Sequence, residues 1–403
     1  MEILLLCPDN PFPSESGAAI RNYGLIRGLY GSGHKVTLLT FSDTALSPGT
    51  NPLFQYCREV HSCPIPQRSK SDRIVSLLAT RRADMEDRLM SAAFAQKLAA
   101  ILDSRAFEII QFSGIELGSY LPVIGLKKGE AKVVYDALNA EAELQRLIYQ
   151  LDRKRPSRLH TALYSAIQAR RLERYERELC RSIDAVIAVS EEDRNLLESY
   201  GGAPIYVMPN GIFVDDYAAC SRERRADNQL VFTGKMDYRP NVDALEWFCA
   251  SIFPALLQRH PTLKLIIVGR NPHPRIQALA HGNHVRVTGW VESVLPYLQA
   301  ATLFVLPMRM GSGTRLKILE AMASGCAVVS TSLGASGLHG SIREAIEIAD
   351  GADSFAHSIS SLLSDMDRRQ ALGERAREQV RAHYDWSALM HRLLSAYEDL
   401  GLG

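Results

Sequence analysis

Lys317 and Glu320 are the residues of this sequence whose types and spacing best suit chemistry, because they lie three positions apart in a predicted helix. Residues at this spacing share one helix face. A loop with Gly311 and Gly313 precedes them, so backbone N–H groups can approach a ligand and the helix start favours an anion. A lysine for phosphates beside a glutamate for ribose hydroxyls suits a nucleoside diphosphate. The alternative is an exposed ion pair, which is common at this spacing.

The elements around this loop form one unit of a parallel sheet. Leu303 to Leu306 is an apolar strand that ends at Pro307, since proline cannot donate to a ladder. A helix is predicted from Thr314 to Ala323 because its apolar residues recur at helical spacing. Gly325 suits the helix C-cap, and Ala327 to Ser330 is the next strand.

A second glycine and cation follow another predicted strand, residues 230–233. Gly234 and Lys235 come directly after it, and Pro240 and Asn241 mark the start of the next helix. A glycine and a lysine beside a helix N-terminus favour phosphate binding. Arg239 is a further candidate cation at this place.

The N-terminal residues predict another strand–helix–strand unit. Ile3 to Leu6 and Val36 to Phe41 are apolar strands, and a helix is expected over residues 18–30. The glycine fingerprint G-x-G-x-x-G is missing here, which disfavours a nicotinamide dehydrogenase. Gly17, at the helix entry, is either a turn glycine or a point of close ligand approach. Arg21 is a candidate contact for an anionic acceptor, although a solvated arginine is the favoured interpretation.

Polar residues follow the predicted strand 133–136. Asn139 and Glu141 are candidates for the acceptor side, since ligands bind at the carboxyl ends of parallel strands. The alternative is that Asn139 caps the following helix. That helical region is basic, with ten Lys or Arg against four Asp or Glu between Arg146 and Arg181. It could meet anionic lipid or a phosphorylated acceptor, but a solvated helix with i,i+4 ion pairs is favoured.

Composition excludes several classes of protein. The net charge of +1 argues against nucleic-acid binding. The seven cysteines are scattered without a C-x-x-C pair, so we predict a reduced cytosolic compartment and no zinc site. No apolar run approaches the ~20 residues of a membrane span, and no secretory signal is recognisable. We expect a cytoplasmic protein, with a peripheral contact with the inner face of the membrane left open.

The run Glu320-Ala-Met-Ala-Ser-Gly325 resembles the donor-site signature of the retaining family 4 glycosyltransferases, also called glycosyl transferases group 1. That signature is Glu-x7-Glu followed by Ala-Met-Ala-x-Gly, and Ser312 stands at the first glutamate. After Asp136 the family often has a histidine where this chain has Leu138. The resemblance implies an α/β GT-B fold, with two Rossmann-like, doubly wound parallel-sheet domains facing a cleft.

The domain boundaries follow from this fold and from a polar stretch near residues 215–228. We predict an N-terminal, acceptor-binding domain over residues 1–213, to which a C-terminal helix over residues 386–403 crosses back. The donor-binding domain would comprise residues 214–385.

The activity that the resemblance implies is retaining transfer of a hexose or hexosamine from a nucleotide sugar, such as a UDP- or GDP-sugar. The acceptor would be a hydroxyl of a glycan, a lipid-linked glycan or a small metabolite, as in polysaccharide biosynthesis. Lys235 and Lys317 would balance the charge of the leaving diphosphate, and Glu320 would hold the ribose. Gly17 matches the family's glycine near the phosphates. No cofactor or obligate metal is expected, because cationic side chains replace the metal.

The remaining donor-binding candidates are main chain and side chains near the sugar and the base. They are Gly234, Arg239, Gly289, Trp290, Gly311, Ser312, Gly313, Thr314 and Arg315. For Trp290, a packed tryptophan is the alternative to a base contact. Two other functions stay open: a nucleotide-sugar epimerase on the same fold, and a nucleotide-diphosphate-binding protein without catalysis.

Overall fold

A computed structural model describes residues 1–13, 16–69, 76–77, 79–153, 158–217, 228–280, 282–310 and 315–402 of the chain. The chain divides into two compact units. The first comprises Met1–Pro209 and Met390–Gly403, and the second comprises Asn210–Leu389.

Unit 1 is built on a seven-stranded sheet in the order β3-β2-β1-β4-β5-β6-β7. Its neighbouring strands all pair in parallel. The strands are β1 (Glu2–Cys7), β2 (Lys35–Phe41), β3 (Cys57–Cys63), β4 (Ile109–Ser113), β5 (Lys132–Ala137), β6 (Ala185–Ala188) and β7 (Ile205–Val207). Residues 3–7 of β1 have no exposed surface, as expected of a central strand covered on both faces.

Helices connect the strands of unit 1. They are α1 (Gly17–Gly31), α2 (Leu53–Tyr56), α3 (Asp84–Arg88), α4 (Ala92–Ser104), α5 (Leu121–Lys127), α6 (Glu141–Asp152), α7 (Leu159–Cys180) and α8 (Glu191–Glu198), with a 3-10 helix over Ile115–Tyr120. The basic helical region expected as one element is therefore two helices, α6 and α7.

Unit 2 contains a six-stranded parallel sheet in the order β10-β9-β8-β11-β12-β13. The strands are β8 (Gln229–Thr233), β9 (Lys264–Val268), β10 (Val285–Val287), β11 (Leu303–Leu306), β12 (Val328–Ser330) and β13 (Glu347–Ile348). Every residue of β11 is fully buried, which matches its unbroken apolar sequence.

Helices also connect the strands of unit 2, and the last helix of the chain begins there. They are α9 (Arg239–Trp247), α10 (Phe253–Arg259), α11 (Pro274–Gln277), α12 (Leu295–Ala300), α13 (Leu316–Ala323), α14 (Gly340–Arg343), α15 (Ala352–Ser364), α16 (Met366–Tyr384) and α17 (Trp386–Glu398). A π-helical turn over Phe248–Ile252 joins α9 to α10, and a 3-10 turn spans Val214–Asp216.

The last helix begins in unit 2 and continues into unit 1. The N–H of Trp386 donates to the carbonyl of Ile212, within unit 2. Further along, the Tyr397 hydroxyl donates to Gln111 Oε1 on β4, within unit 1.

Each sheet has a point where the strand order reverses. In unit 1 this switch point lies between β1 and β4, and in unit 2 between β8 and β11. Ligands of open α/β sheets bind outside the carboxyl ends of the strands at this point. The predicted architecture of two parallel-sheet α/β domains is confirmed, and both switch points fall at candidate residues.

Candidate functional site

The switch point of unit 2 brings together candidates from two distant segments. Gly234 and Lys235 leave the carboxyl end of β8, whereas Lys317 lies in the first turn of α13, which follows β11. A Cβ atom added to Gly234 would lie 2.6 Å from Lys317 Nζ. The glycine is therefore the residue that lets this lysine approach the β8 backbone.

Lys317 is held by polar and aromatic contacts. Its Nζ donates to Asn241 Oδ1 at 2.8 Å and lies 4.5 Å from the centroid of the Phe232 ring, a cation–π distance. The side chain is partly buried. The alternative interpretation of Lys317 and Glu320 as an exposed surface pair is therefore wrong, because each side chain has a partner in the interior of unit 2.

The surroundings of Lys317 oppose its positive charge. Burial and, to a smaller extent, the nearby charge of Arg315 lower the pKa of Lys317, while Glu320 raises it, and together they bring this pKa to about 7. An ammonium that has lost its hydration gains from a bound anion. Lys317 can therefore take up a proton when a diphosphate binds beside it.

Glu320 is anchored by a residue from the start of unit 2. Tyr217 Oη donates to Glu320 Oε1 at 3.0 Å. Burial raises the pKa of Glu320, while the hydrogen bond from Tyr217 and the charge of Lys317 lower it. The hydrogen bond from Tyr217 therefore fixes one oxygen of the Glu320 carboxyl group and defines the orientation of that group.

Asn241 is a site residue that the sequence reasoning treated only as a helix-start signal. Only 3% of its surface is exposed, and it accepts from Lys317 Nζ while its Nδ2 donates to the Lys235 carbonyl at 2.8 Å. It therefore joins both lysine-bearing segments. Tyr217 was likewise missed, since it lies 103 residues from its partner Glu320.

The other candidate cations of unit 2 lie around the same helix start. Lys235 is exposed and lies 3.6 Å from the Asp237 carboxylate, so its ammonium can reach a ligand from solvent. Arg239 is the first residue of α9 and is partly buried. The Arg315 guanidinium donates to the Leu333 carbonyl at 2.7 Å, which ties the start of α13 to the loop after β12.

Some of the candidates for the sugar and base contacts lie within the described residues, and others lie outside them. Gly289 has a positive φ of 74° after β10, a conformation that favours glycine. Trp290 is 66% exposed, so the alternative of a packed tryptophan is wrong. Gly311, Ser312, Gly313 and Thr314 lie outside the described residues.

Gly17 begins α1, directly after the loop that leaves β1 at the switch point of unit 1. The Ser16 hydroxyl caps this helix by accepting from the Ala19 N–H at 3.0 Å. A Cβ at Gly17 would meet no atom of the described residues within 4 Å. Packing therefore does not require a glycine here, and its role toward a ligand stays a prediction.

The environment of Arg21 matches neither of the two predictions, a solvated arginine and a contact with an anionic acceptor. Only 1% of it is exposed, and its guanidinium binds Asp136 through two nitrogens, at 2.9 and 2.6 Å. It also donates to the Met208 carbonyl at 3.0 Å. The solvated arginine and the acceptor contact are both wrong, because a buried guanidinium needs an internal carboxylate. Arg21 joins α1 to the carboxyl ends of β5 and β7.

Asn139 and Glu141 lie together after β5, with Asn139 Nδ2 donating to Glu141 Oε1 at 3.0 Å. The alternative in which Asn139 caps α6 is wrong, because Glu176 from α7 accepts from the Glu141 N–H at 2.7 Å. Burial raises the pKa of Glu141 to about 7. A carboxyl group with such a pKa can hold or release a proton near neutrality.

The basic helix α7 has the predicted ion pairs. Arg174 lies 3.6 Å from Glu178, and Arg177 lies 3.3 Å from Glu173. These i,i+4 pairs confirm the favoured interpretation of a solvated helix. Within the ranges described above, no helix is both long and apolar enough to cross a membrane, and contact with a membrane surface stays a prediction.

The described residues offer few groups of metal-ligating side chains. No group of three or more His, Cys, Asp or Glu is placed there to hold a metal ion. Cys57, His61 and Cys63 all lie along β3, where His61 Nε2 is 3.0 Å from Glu59 Oε2.

Two family descriptions match the chain, one in each unit. Residues 16–216 match Glycosyltransferase Family 4, and residues 227–365 match Glycosyl transferases group 1. Together they cover most of the chain and every candidate residue that the sequence analysis selected, whereas Tyr217 lies between the two matched ranges.

Curated relatives agree with these matches. A phosphatidyl-myo-inositol mannosyltransferase of Propionibacterium freudenreichii is 26% identical over 63% of this chain and 66% of its own length. Its counterpart in Mycolicibacterium smegmatis is 28% identical over 53% of this chain and 56% of its own length. The chain thus spans between half and two thirds of the length of these relatives.

Solved structures share the fold at low identity. Sucrose-phosphate synthase from Thermosynechococcus elongatus superposes with a TM-score of 0.72 at 18% identity, over 100% of this chain and 99% of its own. The Anabaena protein Alr3699/HepE, in complex with UDP and glucose, has a TM-score of 0.65 at 14% identity, over 99% of this chain and 100% of its own. The two parallel sheets, the matched family descriptions and these neighbours lead to one conclusion: the chain belongs to the group 1 glycosyltransferases and has the GT-B fold.

Proposed function

We propose that this glycosyltransferase moves a hexose or hexosamine from a nucleoside diphosphate sugar to a hydroxyl acceptor, with retention of the anomeric configuration. The observation that carries the proposal is the meeting of Gly234, Asn241 and Lys317 at the switch point of unit 2. A partly buried lysine with a lowered pKa, aimed at a glycine turn and two residues into a helix, suits a diphosphate.

In the proposed reaction, the bond between the anomeric carbon and the diphosphate oxygen breaks, and the acceptor oxygen bonds to the same carbon. The hydroxyl proton passes to the departing diphosphate. Lys317 and Lys235 stabilise the negative charge that builds on the leaving group, which is where preorganised cations lower a barrier most. Glu320, oriented by Tyr217, binds the ribose hydroxyls.

The donor is proposed to be a UDP- or GDP-sugar. Binding of UDP by the structurally similar Anabaena protein supports the former, and the mannosyltransferase relatives support a hexose donor. Cationic side chains, rather than a metal ion, are proposed to balance the diphosphate.

A thermal-shift panel tests the donor site. UDP, GDP, ADP, dTDP and their sugar conjugates are compared on wild type, Lys317→Ala and the control Lys264→Ala, whose exposed side chain lies at the start of β9. A nucleotide at a hundred times its Kd stabilises the native state by about 2.7 kcal/mol. We expect one base to stabilise wild type and the control, with a smaller shift in Lys317→Ala.

Equal shifts in all three proteins would place the nucleotide elsewhere. If no nucleotide stabilises wild type, the proposed donor class is wrong. Once a donor is found, NMR of the product glycoside gives its anomeric configuration, and an inverted product would contradict the retaining mechanism.

A further inference from the structure

Unit 1 contains a cavity that none of the predicted site residues lines. Its volume is about 410 Å³, within the range of small-molecule sites. It lies where the chain leaves the carboxyl end of β3, between that segment and helices α3, α6 and α7. The apolar side chains of its wall are Ile65, Pro66, Met85, Leu89 and Leu172, and the polar ones are Arg68, Asp84, Arg88, Gln145, Tyr164 and Gln168.

The wall is organised by α7. Tyr164, Gln168 and Leu172 recur every four residues, so they share one helix face. Gln168 is 3% exposed, and its Oε1 accepts from the Asp84 N–H at 2.9 Å, which holds α3 against α7. The cavity is therefore a built feature of the fold, with polar groups at defined positions.

The two arginines of the wall each have a carboxylate neighbour, Asp84 within the wall and Glu116 beside it. Arg68 lies 3.3 Å from Asp84, and Arg88 lies 3.6 Å from Glu116. Each guanidinium therefore has a carboxylate neighbour, which leaves little net attraction for an anionic group. A neutral ligand fits this balance better than a phosphate.

The donors, acceptors and apolar side chains of the wall narrow the chemical class of the ligand further. Arginine side chains only donate, the carboxylate only accepts, and the amides and the tyrosine hydroxyl do both. A ring carrying several hydroxyls needs donors and acceptors together, while its C–H faces pack against apolar side chains. The five apolar and six polar residues of the wall supply both.

The cavity adjoins the candidate acceptor residues. Gln145 lies one helical turn after Glu141 on the same face of α6. Arg88, which lines the cavity, also acts electrostatically on Glu141, as does its neighbour Glu116. Glu141 thus stands at the carboxyl end of β5, beside the wall of the cavity.

We propose that this cavity binds a neutral, polyhydroxylated six-membered ring, and that the ring belongs to the acceptor. That the ring belongs to the acceptor rests on the proposed function. That the cavity binds such a ring does not depend on it. The ring can come from a saccharide or from a cyclitol, since both present hydroxyls around a six-membered ring.

Saturation-transfer NMR on the full chain tests the site. The probes are the methyl glycosides of mannose, glucose, galactose and N-acetylglucosamine, with myo-inositol as the cyclitol and cyclohexanol as a ring with one hydroxyl. We expect at least one polyhydroxylated ring to bind and cyclohexanol not to. The glycosides and myo-inositol are compared separately, so the result identifies the source.

Variants locate the binding. Gln145 and Tyr164 are partly exposed, so Gln145→Ala and Tyr164→Ala should fold, and each should weaken binding of the ring roughly tenfold through lost hydrogen bonds. Tyr149→Ala is the matched control, because Tyr149 lies on α6 and does not line the cavity. The control should bind like wild type.

The outcomes separate this proposal from the proposed function. If a nucleotide stabilises the protein but no ring binds, or if the ring binds all variants equally, the cavity assignment is overturned and the donor site stands. If inorganic phosphate competes with the ring in a Gln145-dependent manner, the neutral class is wrong. If the ring binds at the cavity and no nucleotide stabilises the protein, the ring site stands and the transferase proposal falls.

Discussion

At the residue scale, the ammonium group of Lys317 meets the Asn241 amide oxygen and the face of Phe232. These contacts replace only part of the hydration that burial removes, which is why its pKa falls to about 7. A lysine in this state gains more from an incoming anion than a fully hydrated one. Its neighbours therefore favour binding of an anion beside it, as the proposed function requires.

Nucleotide binding should take up protons because of this lysine. At pH 8 most Lys317 side chains are neutral, and a bound diphosphate raises the pKa again, so roughly one proton enters per nucleotide. Affinity should fall as the pH rises from about 7 to 9. Calorimetric titration of the stabilising nucleotide, in two buffers of different ionisation enthalpy, measures the uptake.

Lys317→Arg is the control for this measurement. Arginine stays protonated throughout this range, so uptake should be lost while binding is weakened only in part. The same proton count in both proteins would show that Lys317 is already charged in the free enzyme.

Two residues show why burial and partners decide a role. Arg21 and Lys317 are both basic residues in the first turns of helices that follow central strands. Arg21 donates to the Asp136 carboxylate, whereas Lys317 Nζ donates to the neutral amide of Asn241. Arg21 is therefore part of a buried structural ion pair, whereas the contact from Asn241 does not neutralise a protonated Lys317.

At the element scale, the contact between β8 and α13 depends on a glycine. The turn after β8 gives Gly234 a φ of +148°, a conformation that side chains rarely adopt. A Cβ there would lie 2.6 Å from Lys317 Nζ and 2.9 Å from Asn241 Nδ2. A side chain here would therefore displace the Lys317 ammonium and the Asn241 amide from their present positions.

Gly234→Ala should reduce nucleotide affinity by at least about tenfold and destabilise the fold by about 1–3 kcal/mol, from backbone strain and displacement of Asn241. Gly31→Ala is the control, since a Cβ at the end of α1 meets no atom within 4 Å. Denaturant unfolding gives the stability and the thermal shift gives the affinity. Similar behaviour of the two variants would contradict the proposed fit.

The start of α6 shows a different arrangement between elements. Its first N–H groups donate to the Glu176 carboxyl group of α7, at 2.7 Å from Glu141 and 3.4 Å from Ala142. The first N–H groups of a helix have no acceptor within the helix, and the Glu176 oxygens supply one. This contact positions Glu141, the acceptor-side candidate, from a helix that begins eighteen positions later.

At the scale of the whole molecule, stability should depend on pH through Glu176. Burial raises the pKa of Glu176 to about 8, and the hydrogen bonds from the Glu141 and Ala142 backbones partly oppose this. The folded protein then holds this proton more tightly than the unfolded chain, whose value is near 4.5. The contribution to stability is complete below that value and is lost as the pH rises to about 8.

Glu176→Gln removes this ionisation, so its melting temperature should fall less than that of wild type between about pH 5 and pH 8. Circular dichroism melts across that range measure the difference. Glu178→Gln is the control, because Glu178 lies on the same helix with 64% of its side chain exposed. Parallel curves for wild type and Glu176→Gln would mean that Glu176 is already ionised in the folded protein.

The sequence by itself determined the local elements and where they end. Apolar runs such as Leu303–Leu306 could only be buried strands, and the glycines and helix-start residues after them marked the carboxyl ends of the sheet. These signals are local, because hydrophobic period and turn chemistry act over a few residues. They suffice to predict two parallel-sheet domains and to select Gly234, Lys317 and Glu320.

Only the tertiary structure decided which of these residues have partners. Lys317 meets Asn241 across 76 positions, Glu320 meets Tyr217 across 103, and Arg21 meets Asp136 across 115. No periodic pattern encodes such pairs, since strand order places them together only after the sheet has formed. For this reason the prediction from the sequence was wrong for Arg21 and did not include Asn241 and Tyr217 among the site residues. The cavity of unit 1 likewise depends on the packing of helices α3, α6 and α7.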